Sequence, residues 1–150
     1  AMVTKPVDAF TQWHEQALIW ETARPYLYVR TTVENRIIIG GLDEENAQAP
    51  QSLELIEKRG ETLLRKLKDL FPQYDLETDY VYGATFGESI DNLPFIGQHP
   101  TKEKHYYLLG YGGNGTVYSM LGSHILRDLI MKGHHPDAHL VELDRKYGVK

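Results

Sequence analysis

The chain has 150 residues, 41% hydrophobic and 25% charged, with 16 Lys and Arg against 21 Asp and Glu for a formal net charge of −5. That length and balance suit one globular domain, residues 1–150, with a real core, and the lack of a basic stripe argues against nucleic acid as a partner. The absence of cysteine excludes disulfides, thiolate catalysis and zinc-ribbon sites, and no run approaches the roughly 18 apolar residues of a membrane helix, so a cytoplasmic protein with no membrane span is expected.

Ala1-Met2 reads as a cloning remnant or a processed start, and Asp8, Gln12, His14 and Glu15 interrupt any secretory core. Strands are predicted at ALIW (17–20), at the alternating YLYVRTT (26–32) and at the β-branched RIIIGG (36–41). VEN between the last two is a hairpin connection in which Asn35 tolerates a positive φ. Gly40-Gly41 either ends the second strand or lets a backbone approach something closely. GLDEENAQAPQ is a polar loop whose carboxylates Asp43, Glu44 and Glu45 are expected to be solvated.

Residues 52–71 are predicted as an amphipathic helix. Leu53, Ile56, Gly60, Leu63, Leu64, Leu67 and Leu70 fall on one stripe, and Glu54–Lys58 and Glu61–Arg65 have the spacing of ion pairs on the wet face. Pro72 stops it. A strand is expected over 76–88 with Gly83 as a bulge, then a turn-rich loop over SIDNLPFIGQHP, then a strand at KHYYLLGY. A second helix over 115–131 should turn Val117, Met120, Leu121, Ile125, Leu129 and Ile130 inward and end at Gly133. HLVELD is a last short strand or an extended tail. The order is not βαβαβ, so the fold class is α+β: an antiparallel or mixed sheet with two main helices packed on it.

The stretch GYGGNGTVYS places Gly110, Gly112 and Gly115 in the G-x-G-x-x-G spacing. A dinucleotide fingerprint needs a parallel second strand and an acidic residue further on; the segment after the helix is too short for the rest of such a sheet, and Asp128, at roughly the right offset, lies inside the helix. The local physics survives. Glycines let a backbone come close to a ligand, and the free N–H groups of the following helix favour an anion or a developing one. Asn114 is suited either to cap the helix or to meet a ligand edge. The plain alternative is a core helix entered through a tight turn. In the loop before it, Asp91 is suited to cap or bridge backbone amides. His134, His135 and His139 are close in sequence, but Pro136 breaks any helix that would align them, so no metal site is expected. Ser119 and Ser123 lie within a helix pattern and no G-x-S-x-G elbow exists. The 10 tyrosines suit half-wet surfaces such as pockets, or ordinary strands.

Taken in order, RPYLYVRTTVENRIIIGG, YVYGATFGESIDNLPFIGQHP and YYLLGYGGNGTVYS resemble the C-terminal half of FAD-dependent oxidoreductases of the D-amino acid oxidase family, which includes glycine and sarcosine oxidases. The resemblance runs from about Ile19 to Arg145. It implies a substrate-binding domain fragment whose N-terminal FAD-binding Rossmann half is absent, with FAD as cofactor and an amine or amino acid as substrate. It further implies that Gly112, Gly113, Asn114, Gly115 and Thr116 contact the pyrimidine edge of the flavin. Tyr28 and Arg30 on the hairpin, Phe86 on the next strand and Tyr111 beside the glycine turn become candidates for the substrate wall. Arg30 would hold a carboxylate, or else form a surface or interdomain ion pair. Two positions depart from the family. Phe86 stands where several relatives carry a carboxylate-binding Arg, and Val117 lies nearest to where sarcosine-oxidising relatives carry a Lys. Asn92 replaces the usual Gly of the loop, a mild change because Asn tolerates left-handed backbone. No catalytic residue is assigned. The expected partners are the missing FAD-binding half and a second copy through the exposed interdomain face; a non-catalytic interaction module is the alternative function.

Overall fold

The computed structural model describes residues 1–45 and 52–146. The later part of the predicted polar loop, 46–51, lies outside the described residues. The elements are β1 (Met2–Thr4), β2 (Ile19–Trp20), β3 (Leu27–Thr31), β4 (Ile37–Gly41), α1 (Leu53–Leu70), β5 (Thr78–Val81), β6 (Phe95–Gln98), β7 (Tyr106–Leu109) and α2 (Gly115–Lys132). They divide between two compact units, Ala1–Thr85 and Phe86–Lys150. The class is α+β, with antiparallel sheets and two helices.

The first unit is a five-stranded sheet in the order β2-β3-β4-β1-β5. The predicted hairpin forms β3 and β4, paired from Leu27 with Gly41 to Thr31 with Ile37. Its connection closes through Asn35, whose N–H donates to Thr32 O at 3.1 Å and whose φ is 56°. Alternation sends Leu27, Val29, Ile37 and Ile39 to one face, where Leu63 and Leu67 of α1 meet them together with Met2, Trp13, Phe71 and Leu76. Each such buried side chain contributes about 1.5–3 kcal/mol of transfer free energy. Ser52 caps α1, its Oγ accepting from Leu55 N–H at 3.4 Å.

Gly60 is what lets α1 approach the sheet, since a Cβ there would lie 2.2 Å from Val81 Cγ1. The helical stripe is narrower than expected: Gly60, Leu63 and Leu67 are buried, but Leu53 and Leu70 are exposed. Neither predicted i,i+4 ion pair forms among the described residues; Arg59 instead pairs with Glu44 of the preceding loop.

β1 was not foreseen. The opening MVT is an interior strand between β4 and β5, buried throughout. Thr4 replaces a ladder bond with its side chain, Oγ1 accepting from Ile37 N–H at 2.9 Å. The strand predicted over 76–88 is confined to Thr78–Val81, and Gly83 is no bulge; the irregularity lies in the pairing of β1 with β5, between Val3 and Thr4.

The second unit pairs β6 with β7 and packs them on α2 through Ile96, Ile125 and Val141. β6 falls where a loop was predicted: Pro94 and Gly97 look like loop punctuation, but Pro94 only precedes the strand and Gly97 lies against the tail near Leu143. Gly133 ends α2 at φ 78°, its N–H donating to Leu129 O at 3.1 Å. The inward residues of α2 are Gly122, Ile125 and Asp128, with Leu126 and Leu129 packed at the margin. Val117, Met120, Leu121 and Ile130, expected inside, are 52–65% exposed. HLVELD is not a strand. A 3-10 turn at Ala138–Leu140 leads into it, after which Val141 O accepts from Ile96 N–H at 2.6 Å.

Candidate cofactor and substrate sites

In the second unit, residues 110–116 run from β7 into α2 through a turn with two glycines in left-handed backbone. Gly110 and Gly112 have φ of 66° and 51°. A Cβ on Gly112 would stand 2.7 Å from Glu88 Oε1 and 2.9 Å from Glu88 Cγ. Gly112 N–H donates to Gly87 O at 3.1 Å and Tyr111 forms a bridge with Glu88, so the turn lies against the 87–92 segment. Between them is a cleft of about 180 Å³ lined by Glu88, Asn92, Gly110, Tyr111, Gly112 and Asn114.

Two features of this cleft suit an electron-rich ligand edge. Gly115, Thr116 and Val117 open the helix, where backbone amides have no intrahelical acceptor and the dipole is positive. Asn114 occupies the cap position but makes no side-chain cap bond, so its side-chain amide is not committed to the helix end. Of the two roles open to Asn114 in the sequence, side-chain capping is the one the fold does not use. Asn92 adopts φ 58°, the left-handed backbone for which glycine would otherwise be needed. Gly113 and Thr116 are exposed beside the cleft, and Tyr111 is 41% exposed with its ring against Gly115. Phe86 is 47% exposed and lies outside any strand, correcting its predicted place on one. Glu88 is the cleft residue that sequence reading missed; nothing local distinguishes it from any surface carboxylate.

In the first unit, the sheet face opposite α1 carries a different set. Alternation and register put Trp20, Tyr28, Arg30, Ile38, Gly40, Val3 and Tyr80 on it. Gly40 makes room for Tyr28: a Cβ at 40 would sit 2.2 Å from both Cζ and the hydroxyl oxygen of that ring. Burial raises the Tyr28 hydroxyl above the ordinary tyrosine range, and neighbouring Tyr82 and Asp43 add to the shift. Tyr26 is raised as well, first by burial and then by Asp43, to which it hydrogen-bonds. Arg30 is exposed and has no ion pair among the described residues, whereas Arg36 bonds Thr4 O at 3.0 Å and pairs with Asp79. Thus Tyr28 and Arg30 share one face of the first unit, and Phe86, Tyr111 and the glycine turn belong to the second. His134, His135 and His139 spend a ring nitrogen on nearby backbone groups.

An α+β chain with a glycine turn leading into a helix N-terminus and an aromatic sheet face fits one known family model. Residues 1–129 match the model described as FAD dependent oxidoreductase, and the chain belongs to that family. No curated protein matches it significantly. Among solved structures it is similar to the L-proline dehydrogenase from P. horikoshii, with a TM-score of 0.69 and 15% identity over 94% of this chain and 37% of that one. It is also similar to the glycine oxidase from Geobacillus kaustophilus, with a TM-score of 0.65 and 18% identity over 98% of this chain and 38% of that one. The chain therefore spans less than two fifths of either relative. Among the described residues no helix is long and apolar enough to cross a membrane.

Proposed function

We propose that residues 1–150 are the substrate-domain part of an FAD-dependent oxidoreductase that oxidises a C–N bond of an amine or amino acid, and that the main FAD-binding half lies outside this chain. The observation that carries this reading is the cleft just before α2, lined by Gly110, Gly112, Asn114 and the Glu88–Asn92 segment, in which the Asn114 side chain makes no cap bond. Family membership and the fraction of each relative covered support it. When bound, the flavin would supply a hydride acceptor, leaving the substrate as an imine that hydrolyses.

The chain's residues do the rest. Gly113, Gly115 and Thr116 present N–H groups and the helix dipole to the pyrimidine edge, stabilising negative charge as it develops there, while Gly112 gives the close approach and Asn114 offers its side-chain amide, their own N–H groups being spent on Gly87 O and Tyr111 O. Tyr28 and Arg30 of the first unit are its candidates for substrate contact, and Phe86 and Tyr111 are those of the second. Arg30 takes the carboxylate where Phe86 cannot, because a guanidinium binds a carboxylate with two parallel hydrogen bonds and a phenyl ring offers none. An amine without a carboxylate would need only the aromatic wall. The chain alone is inactive, since it lacks the main cofactor contacts.

A second reading, a non-catalytic module that docks on a partner chain or a second copy, draws on the exposed apolar residues of α2, including Met120 at 65% and Met131 at 77%. Titrating FAD into the purified chain, and into the same chain extended upstream, separates the two. Weak binding by the chain with tight binding by the extension, followed by flavin bleaching on adding glycine or L-proline, is the expected result. Failure of both proteins to bind FAD would leave the docking module.

A further inference from the structure

We infer that Arg145 is a positioning residue for the cofactor cleft, latching the 88–94 loop from the C-terminal tail; the cofactor part of this inference rests on the function proposed above. Glu88 and Asn92 form one wall of the cleft, and they sit in a segment with no ladder of its own beyond a single bridge. Internal bonds only partly brace it. Ser89 Oγ donates to Asp91 Oδ1 at 2.8 Å and Leu93 N–H donates to the same oxygen at 3.1 Å.

Asn92 N–H also donates to Ser89 O at 3.1 Å, and the Tyr118 hydroxyl of α2 donates to Asn92 O at 3.4 Å; the charged restraint comes from 54 residues away. Arg145 Nε donates to Asp91 Oδ2 and Nη2 to Asp91 Oδ1, both at 2.9 Å, the fork geometry of a bidentate pair. Nη2 also donates to Leu93 O at 2.8 Å and Nη1 to Pro94 O at 3.1 Å. The guanidinium lies 3.9 Å from the centre of the Phe95 ring, which in turn stands 3.4 Å from where a Gly110 Cβ would be. One side chain, 6% exposed, therefore braces both walls: the loop through Asp91, and the start of the glycine turn through Phe95.

A merely structural arginine and a latch differ in what they move. The test uses amide hydrogen exchange on the chain with Arg145→Gln, Arg145→Lys and Asp91→Asn. In Arg145→Gln and Asp91→Asn, the Asn92 and Leu93 amides should exchange roughly tenfold faster, while amides of α2 around Ile125 keep their protection. Arg145→Lys keeps the charge but lacks the fork, so its loss should be intermediate. If Arg145→Gln does not fold, Arg145→Lys and Asp91→Asn give the same reading. Unchanged exchange at Asn92 and Leu93 in the folded variants overturns the latch.

The second readout is the flavin absorbance spectrum of the FAD-binding, upstream-extended protein. A shifted spectrum in Arg145→Gln is expected. Faster loop exchange with an unshifted spectrum would keep the loop contact but overturn its cofactor role, whereas failure of the unsubstituted extended protein to bind FAD would instead overturn the proposed function.

Discussion

The two units solve the same problem by different means. Among the described residues, the first buries ten core hydrophobics between a five-stranded sheet and α1, from Met2 through Leu67 to Leu76. The second buries three, Ile96, Ile125 and Val141, beneath a two-stranded sheet. It makes up part of the difference with a polar clamp around Arg145 and leaves much of α2's apolar surface in solvent. The contrast teaches where perturbation should be felt. Apolar truncation should damage the first unit most, and charge or acid should damage the second.

The largest expected effect is at Leu67, fully buried against the sheet. Leu67→Ala should cost about 2–5 kcal/mol in chemical denaturation followed by a probe in the first unit. A loss spread equally over both units would break the comparison. Next comes Gly40→Ala. Gly40 has no positive φ, so alanine suits its backbone, and the nearest conflict is with the Tyr28 ring. Overpacking of this kind costs about 1–3 kcal/mol. Because the ring must leave its half-buried place, the Tyr28 titration should move down toward the ordinary tyrosine range, read by NMR of ring-labelled tyrosine. Adding Tyr28→Ala should recover the stability; no recovery would mean that glycine matters there for some other reason.

The smallest effect sharpens the second unit. The Arg145 guanidinium, followed by the Leu93 N–H and the Ser89 hydroxyl, holds the Asp91 carboxyl well below the usual carboxylate range. A depressed folded-state pKa contributes stability that is complete above the unfolded value near 3.9 and is lost as pH falls toward the folded one. Below about pH 4, local protection at Leu93 should therefore weaken steadily, and Asp91→Asn should flatten that acid limb. An acid limb identical in the variant would assign the loss to other carboxylates.

How much of this was legible before the fold is plainest element by element. The hairpin β3–β4 and both helices could be read because their periods, two and 3.6 residues, are written locally. β1 could not, because three residues carry no period. Nor could β6, hidden behind Pro94 and Gly97. The glycine turn was legible as a close-approach feature, and Asn35, Asn92 and Gly133 took the left-handed backbone that their types allow. The apolar stripe of α2 was legible as well, but a stripe records hydrophobicity and not what lies over it, so the exposure of Val117 and Met120 could not be foreseen.

The sequence by itself determined the α+β class, the helix boundaries within a residue or two, and the family through the order of weak motifs, because each depends on residues close in the chain. Only the tertiary structure decided that Asn114 leaves its side chain uncapped, that Gly40 is the bed of the Tyr28 ring, and that Arg145 grips Asp91. The last two join atoms on different elements, and such pairings are set by packing, which no local pattern of residues encodes.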